Sequence, residues 1–156
     1  MSAVRCLYID PGKTYAGAAL FLDRKLEDVC LLKGNVEDGD IACRAVSVSA
    51  TRWLAGREVD RLICEKPSFW RQGGVRGNPN DILDLMATNG SLFAQIPAKM
   101  RLYATVTQWK KQVPKKVMGE RILAKLSEEE AALLGPKPDH NVLDAVGIGL
   151  WDLKRV

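Results

Sequence analysis

The sequence predicts a mixed α/β fold organised around one sheet. Three apolar runs joined by short polar links occupy the first 32 residues, and strand-like and helix-like runs alternate thereafter. With 156 residues, 47% of them apolar, the chain is the size of one ordinary domain and can bury a core without staples. A single domain over residues 1–156 is therefore expected. The sequence carries no internal repeat, low-complexity tract or linker that would divide it.

Val4–Ile9 is rich in strand formers and stops at the turn-forming Asp10-Pro11-Gly12. Tyr15–Leu22 is a second apolar run, separated by Asp23-Arg24-Lys25 from a third short strand, Glu27–Leu32. Links this short predict antiparallel hairpins. Residues 33–39 read as a polar loop. Asp40–Ala55 reads as a helix, with Asp40 as N-cap, Gly56 past its end, and Ile41, Ala45, Val48 and Leu54 on one face. Arg61–Cys64 is a buried-strand run ending at Glu65. Lys66–Asn80, with Gly73, Gly74, Gly77 and two prolines, reads as a long loop. Asp81–Gln95 is helical, with Ile82, Leu85, Met86 and Asn89 on one side. Met100–Val106 is the fifth strand. Lys115–Leu126 and Ser127–Leu134 are helical pieces, and Ser127 followed by Glu130 has capping-box spacing. Pro136 and Pro138 break the chain before a last helix from Asp139 or His140 to Lys154. The order is β-β-β-α-β-α-β-α-α.

Several classes fall away on composition. Charged residues are 27% and mean hydropathy is −0.11, which excludes disordered and fibrous chains. No apolar run approaches the roughly 18–20 residues of a membrane span, so no membrane association is expected. The N-terminus carries no secretory signal pattern. Cys6, Cys30, Cys43 and Cys64 form no Cys-x-x-Cys pair, and reduced thiols in a cytoplasmic protein are the expectation.

Charge is segregated. The net charge is +4, yet residues 1–65 carry 9 basic and 10 acidic groups, and residues 66–156 carry 14 and 9. Lys110, Lys111, Lys115, Lys116 and Arg121 cluster around a single acid, Glu120. Such a patch suits a polyanion such as nucleic acid, or simply forms a solvated helix face.

Three acids stand at positions where sheet chemistry places ligands. Asp10 and Glu65 end the first and fourth strands, and open α/β sheets bind ligands beyond such carboxyl ends. Asp144 interrupts the apolar run of the last helix, where a carboxylate must be neutralised, by a cation or by a lysine. If the first and fourth strands are neighbours, Asp10 and Glu65 lie close. Converging carboxylates favour a hard divalent cation such as Mg²⁺, and pairs of such ions assist phosphodiester hydrolysis. Each acid also has a plain reading, as turn residue, solvated strand end or ion-pair partner; the combination is what points to chemistry.

His140, the only histidine, precedes Asp144 by four residues and lies about 40° from it around a helix, on one face. It is the candidate fourth member, as metal ligand or proton shuttle, against the alternative of a surface histidine at a helix start. Asp139, roughly 140° away, suits an N-cap. Asn141 lies on the same face but is a weaker ligand.

Tyr8-Ile9-Asp10-Pro11-Gly12, Cys64-Glu65-Lys66-Pro67 and Asp139-His140-Asn141-Val142-Leu143-Asp144-Ala145-Val146-Gly147-Ile148-Gly149-Leu150 together resemble the RuvC family of Holliday-junction resolvases. The flavour is that of its phage and prophage members, and Gln108-Trp109-Lys110-Lys111-Gln112-Val113-Pro114-Lys115 is similar to a Trp-Lys…Pro-Lys segment in those relatives. The match runs in order along nearly the whole chain.

The resemblance implies an RNase H-like fold, a five-stranded mixed sheet with helices on both faces. It implies a homodimer that binds four-way DNA junctions in the bacterial or phage-infected host cytoplasm and acts on no small molecule. Each subunit would nick one strand at a site of two Mg²⁺ ions, with Mn²⁺ substituting, leaving 5′-phosphate and 3′-hydroxyl ends. By position, Asp10, Glu65 and Asp144 match the acidic ligands. Many relatives carry an acid or histidine three residues before the last Asp, where this chain has Asn141, so His140 or Asp139 must serve. Phe69, Trp70 and Arg71 fall where the family places an aromatic at the junction centre, and such rings stack on unpaired bases. Lys110, Lys111, Lys115 and Lys116 would meet phosphates, one of them near the scissile group. The helix Asp81–Gln95 falls at the family's dimer helix. The competing readings are a nuclease of the same fold acting on flaps or RNA–DNA hybrids, an ATP-binding actin-like domain, which is normally much longer, and a non-catalytic DNA-binding module.

Overall fold

The computed structural model describes residues 3–34, 42–68 and 79–156. Five strands form one sheet: β1 (Arg5–Asp10), β2 (Tyr15–Leu22), β3 (Lys25–Lys33), β4 (Val59–Lys66) and β5 (Ala98–Thr105). Their order is β3-β2-β1-β4-β5, with β1–β2 and β2–β3 antiparallel and β1–β4 and β4–β5 parallel. The two hairpins expected from the short links are present. The β2–β3 turn is tight, with Asp23 at φ +55 and its carboxylate accepting from the Val4 amide at 2.9 Å.

The helices described are α1 (Ala42–Leu54), α2 (Pro79–Gln95), α3 (Val106–Trp109), α4 (Lys115–Leu123), α5 (Glu128–Leu134) and α6 (His140–Asp152). Among the described residues no helix is long and apolar enough to cross a membrane. The α1 helix ends as its sequence demands, with Ala55 and Gly56 both at positive φ. Its expected N-cap, Asp40, lies outside the described residues. The α2 helix starts two residues earlier than expected, at Pro79, whose fixed φ suits a first turn. The four-residue α3 was not expected; it sits on a Thr105–Gln108 capping box that has the required Thr-x-x-Gln spacing.

Alternation along the strands makes two cores, one on each face of the sheet. Leu7, Ile9, Leu20, Leu32, Leu62 and Cys64 pack with α1 and α2. Tyr8, Phe21 and Ile63 pack with Trp109, Ile122, Val146, Ile148 and Leu150, below α4 and α6. The start of α6 can approach β2 closely because Gly17 presents no side chain there. A Cβ at Gly17 would stand 1.9 Å from the Asn141 carbonyl oxygen, so the first turn of α6 rests on bare backbone.

Glu130 shows how α5 and the C-terminus are held. It is 2% exposed, and its carboxylate accepts from the amides of Leu26 and Ser127 at 2.8 and 2.9 Å. Arg155 donates to both of its oxygens at 2.7 Å. The Ser127–Glu130 box is the one read from the spacing, and the same carboxylate also ties in β3 and Arg155. Arg155 first, helped by the amides, lowers the Glu130 pKa to about 2. A depressed carboxylate contributes stability above its ordinary pKa and loses it as pH falls from there toward about 2. Arg155→Ala, which strands this buried charge, is expected to cost about 3 kcal/mol at pH 7 in urea titrations. Glu130→Gln is expected to flatten the stability profile between about pH 5 and pH 2.

Candidate active site at the ends of three parallel strands

The strands β1, β4 and β5 run parallel, so their carboxyl ends share one edge of the sheet. Ile9 pairs with Cys64, so Asp10 and Glu65 come next on adjacent strands, about 4.8 Å apart along the hydrogen-bonding direction. Tyr8 and Ile63, two residues earlier, face α6, and by alternation Asp10 and Glu65 face the same way. Asp10 is buried at 8% exposure and stands opposite Gly17 in the β1–β2 ladder. The glycine that lets α6 touch the sheet is therefore the direct neighbour of Asp10.

Asp144 lies one turn into α6, its side chain 17% exposed. Lys110 donates to both of its oxygens, at 3.2 and 3.1 Å. The neutraliser demanded by a carboxylate on an apolar helix is thus a lysine. Lys110 also lies 5.2 Å from the Trp109 ring centroid. The Trp109 indole N–H donates to Oε2 of Glu65 at 2.7 Å. On the opposite side of the sheet, the Asn89 amide of α2 donates to the Glu65 carbonyl at 2.9 Å and steadies the end of β4.

These groups feel one another. Burial first, and then the Glu65 and Asp144 carboxylates, push the Asp10 carboxyl well above the ordinary aspartate range; Lys110 and Lys115 pull against this. Burial also raises Glu65, opposed by the Trp109 hydrogen bond and Lys110 and reinforced by Asp144. Acids at the ends of two strands and on one helix thus form an electrostatic unit with a lysine inside it.

Among the described residues no three His, Cys, Asp or Glu side chains already converge as a metal cage. Mg²⁺ does not require one; it keeps waters and binds through one or two carboxylates together with substrate phosphates. The donor chemistry of Asp10, Glu65 and Asp144 fits such an ion. All are hard oxygen ligands, and a cation would offset the burial and the repulsion that raise Asp10.

The remaining sequence candidates are placed as follows. His140 opens α6 with its side chain 56% exposed, and its Nδ1 lies 4.0 Å from Asp139. Asp139 caps α6, accepting from the Asn141 amide at 2.8 Å. Lys111, Lys115 and Lys116 are exposed between α3 and the first turn of α4. Lys110 is set apart from them by its contact with Asp144. Phe69, Trp70 and Arg71 lie outside the described residues. The residue that sequence reasoning missed in the site itself is Trp109. Its signal was positional, since a residue just past a strand parallel to β1 and β4 emerges at the same edge as Asp10 and Glu65.

No family model and no curated protein sequence matches the chain. Solved structures do. Thermus thermophilus RuvC in complex with a Holliday junction substrate superposes with a TM-score of 0.68 over 95% of this chain and 92% of that one, at 15% identity. The chain has the RuvC fold. A second Thermus thermophilus RuvC structure gives a TM-score of 0.61 at 16% identity, covering 95% of this chain and 92% of that one. The yeast mitochondrial Holliday junction resolvase Ydc2 gives 0.62 at 13% identity, covering 97% and 80%. The RNase H-like architecture expected from the resemblance, a five-stranded mixed sheet between helices, is therefore present. Identities this low leave the RuvC likeness at the level of the fold.

Proposed function

We propose that residues 1–156 form a single metal-dependent nuclease domain that binds four-way DNA junctions and resolves them by paired nicks. The observation that carries this reading is the unit of Asp10, Glu65, Asp144 and Lys110 at the parallel-strand edge of a RuvC fold. One structure sharing that fold holds a Holliday junction substrate.

Two Mg²⁺ ions, or Mn²⁺ in their place, held by Asp10, Glu65 and Asp144, would supply Lewis-acid activation of the phosphodiester and of the attacking water. In the reaction, water oxygen bonds to phosphorus and the bond to the 3′ oxygen breaks, leaving a 5′-phosphate and a 3′-hydroxyl. Lys110 balances Asp144 before substrate binds and places an ammonium where charge develops on the phosphate. His140, exposed at the start of α6, supports the site or delivers a proton to the leaving oxygen. Asp139 is engaged as the helix cap, which favours His140 as the fourth member.

Lys111, Lys115 and Lys116 meet phosphates and orient the duplex arms, and Phe69, Trp70 and Arg71 serve the junction centre. Lys115 lowers the proton affinity of Asp10, which supports a role for this basic surface at the site. Changing Lys111, Lys115 and Lys116 to Gln is expected to weaken junction binding and lower its log–log salt slope by about 1 per lost phosphate contact. An unchanged slope in fluorescence-anisotropy titrations removes these lysines from the interface.

The working unit is a homodimer. Its support is the apolar exposure along α2 and β5, where Leu83 is 66%, Met100 49% and Tyr103 39% exposed. The phage-type affinity and a cytoplasmic setting belong to the same reading. The test is a substrate panel of a labelled four-way junction, a flap, a plain duplex and an RNA–DNA hybrid, with and without Mg²⁺. Metal-dependent cutting confined to the junction is expected. Cutting of the flap or hybrid instead would reassign the substrate, and binding without cutting would make the protein a DNA-binding module.

A further inference from the structure

We propose that Trp109 is a positioning residue that fixes the Glu65 carboxylate for metal binding. The inference rests on the reading above, in which Glu65 is a ligand. Trp109 is 5% exposed, and a buried indole N–H requires an acceptor. A neutral carbonyl would satisfy it, yet the acceptor is Oε2 of Glu65, at 2.7 Å. A charge-assisted bond of this length holds one oxygen of the carboxylate and sets the direction of the other.

The ring is itself held in place. A Cβ at Gly147 would lie 2.7 Å from Cζ3 of Trp109 and 2.7 Å from Cδ1 of Ile122, so the indole and Ile122 together fill the space left by that glycine, one turn beyond Asp144. Lys110 then stands over the ring while gripping Asp144. One rigid side chain therefore sets Glu65 on β4 relative to α6 and to Lys110. Phenylalanine would fill much of the same volume and hold nothing. This is the outer support that ligating carboxylates commonly have, and losing such support typically weakens metal binding by roughly 10–100-fold.

The test compares wild type, Trp109→Phe, Glu65→Gln and the double variant. Mn²⁺ binding is read by the electron paramagnetic resonance signal of free Mn²⁺, junction affinity without metal by anisotropy, and cleavage under single turnover. Trp109→Phe is expected to weaken Mn²⁺ binding about 10-fold and slow cleavage, with metal-free junction affinity unchanged. Adding it to Glu65→Gln is expected to weaken Mn²⁺ binding no further, because Trp109 acts through Glu65. Wild-type Mn²⁺ affinity and cleavage in Trp109→Phe, or an undiminished effect in the Glu65→Gln background, would overturn the inference and leave the nuclease reading standing. A wild-type protein that neither binds Mn²⁺ nor cuts overturns both. Should the phenylalanine variant fold poorly, the indole N–H resonance of Trp109 in otherwise native protein decides. It is expected to move with Glu65→Gln and with added Mg²⁺, and indifference to both would refute the role.

Discussion

Asp10→Asn is expected to abolish cleavage and at the same time stabilise the protein. The loss of activity follows from its place between Glu65 and Asp144, and should be on the order of 10³-fold or more under single turnover. The gain in stability follows from electrostatics. Burial and two neighbouring carboxylates raise the Asp10 carboxyl in the folded state. A carboxyl raised on folding binds its proton more tightly in the native state. Its contribution therefore falls as pH climbs from the ordinary aspartate value through the raised one. At neutral pH the folded protein carries that penalty without a metal, and asparagine removes it. A gain on the order of 1 kcal/mol, or about 2–4 °C in Tm, is expected in metal-free buffer. Saturating Mg²⁺ should narrow or reverse the difference, since only wild type gains binding free energy from the ion. Junction affinity without metal should be unchanged. A destabilised Asp10→Asn with normal cleavage would mean that the carboxylate is a structural group.

Gly17→Ala is expected to damage the fold and the site together. The added methyl would meet the Asn141 carbonyl oxygen at 1.9 Å and the Val142 amide nitrogen at 2.5 Å. These are backbone atoms, so no rotamer change relieves the clash and the first turn of α6 must lift from the sheet. A cost of about 3 kcal/mol is expected in urea titrations. The same shift moves Asp144 away from Asp10, which faces Gly17 across the ladder. Below its melting range the variant should still cleave about 100-fold more slowly, since a displacement near 1 Å costs on that order. Wild-type stability and rate would show that α6 does not seat on Gly17.

Much of this architecture is legible in the sequence because it rests on local rules. The Asp23–Arg24 link dictates a hairpin, Gly56 ends α1, and Ser127 with Glu130 starts α5. Asp10 and Glu65 were legible as strand-end acids, and their adjacency needed only the parallel pairing of β1 with β4. What escaped the sequence is long-range. Nothing in the spacing of Lys110 and Asp144, 34 residues apart, says that they touch. Composition places Lys110 with its exposed neighbours, whereas the geometry of α3 turns it inward. The Trp109–Glu65 bond spans 44 residues, and the indole packs where Gly147 leaves out a side chain, which no periodicity reveals. The helix α3 escaped because four residues are too few for a periodic signal, although its capping box was readable.

The most direct test of the central reading is strand-resolved mapping of cuts on an immobile four-way junction, with each strand labelled in turn and Mg²⁺ titrated. Two nicks at symmetry-related positions near the crossover, bearing 5′-phosphate and 3′-hydroxyl ends and sealed by ligase, are the expected result. Absence of cutting with Mg²⁺ or Mn²⁺ across a range of pH, or equal cutting of linear duplex, would contradict it.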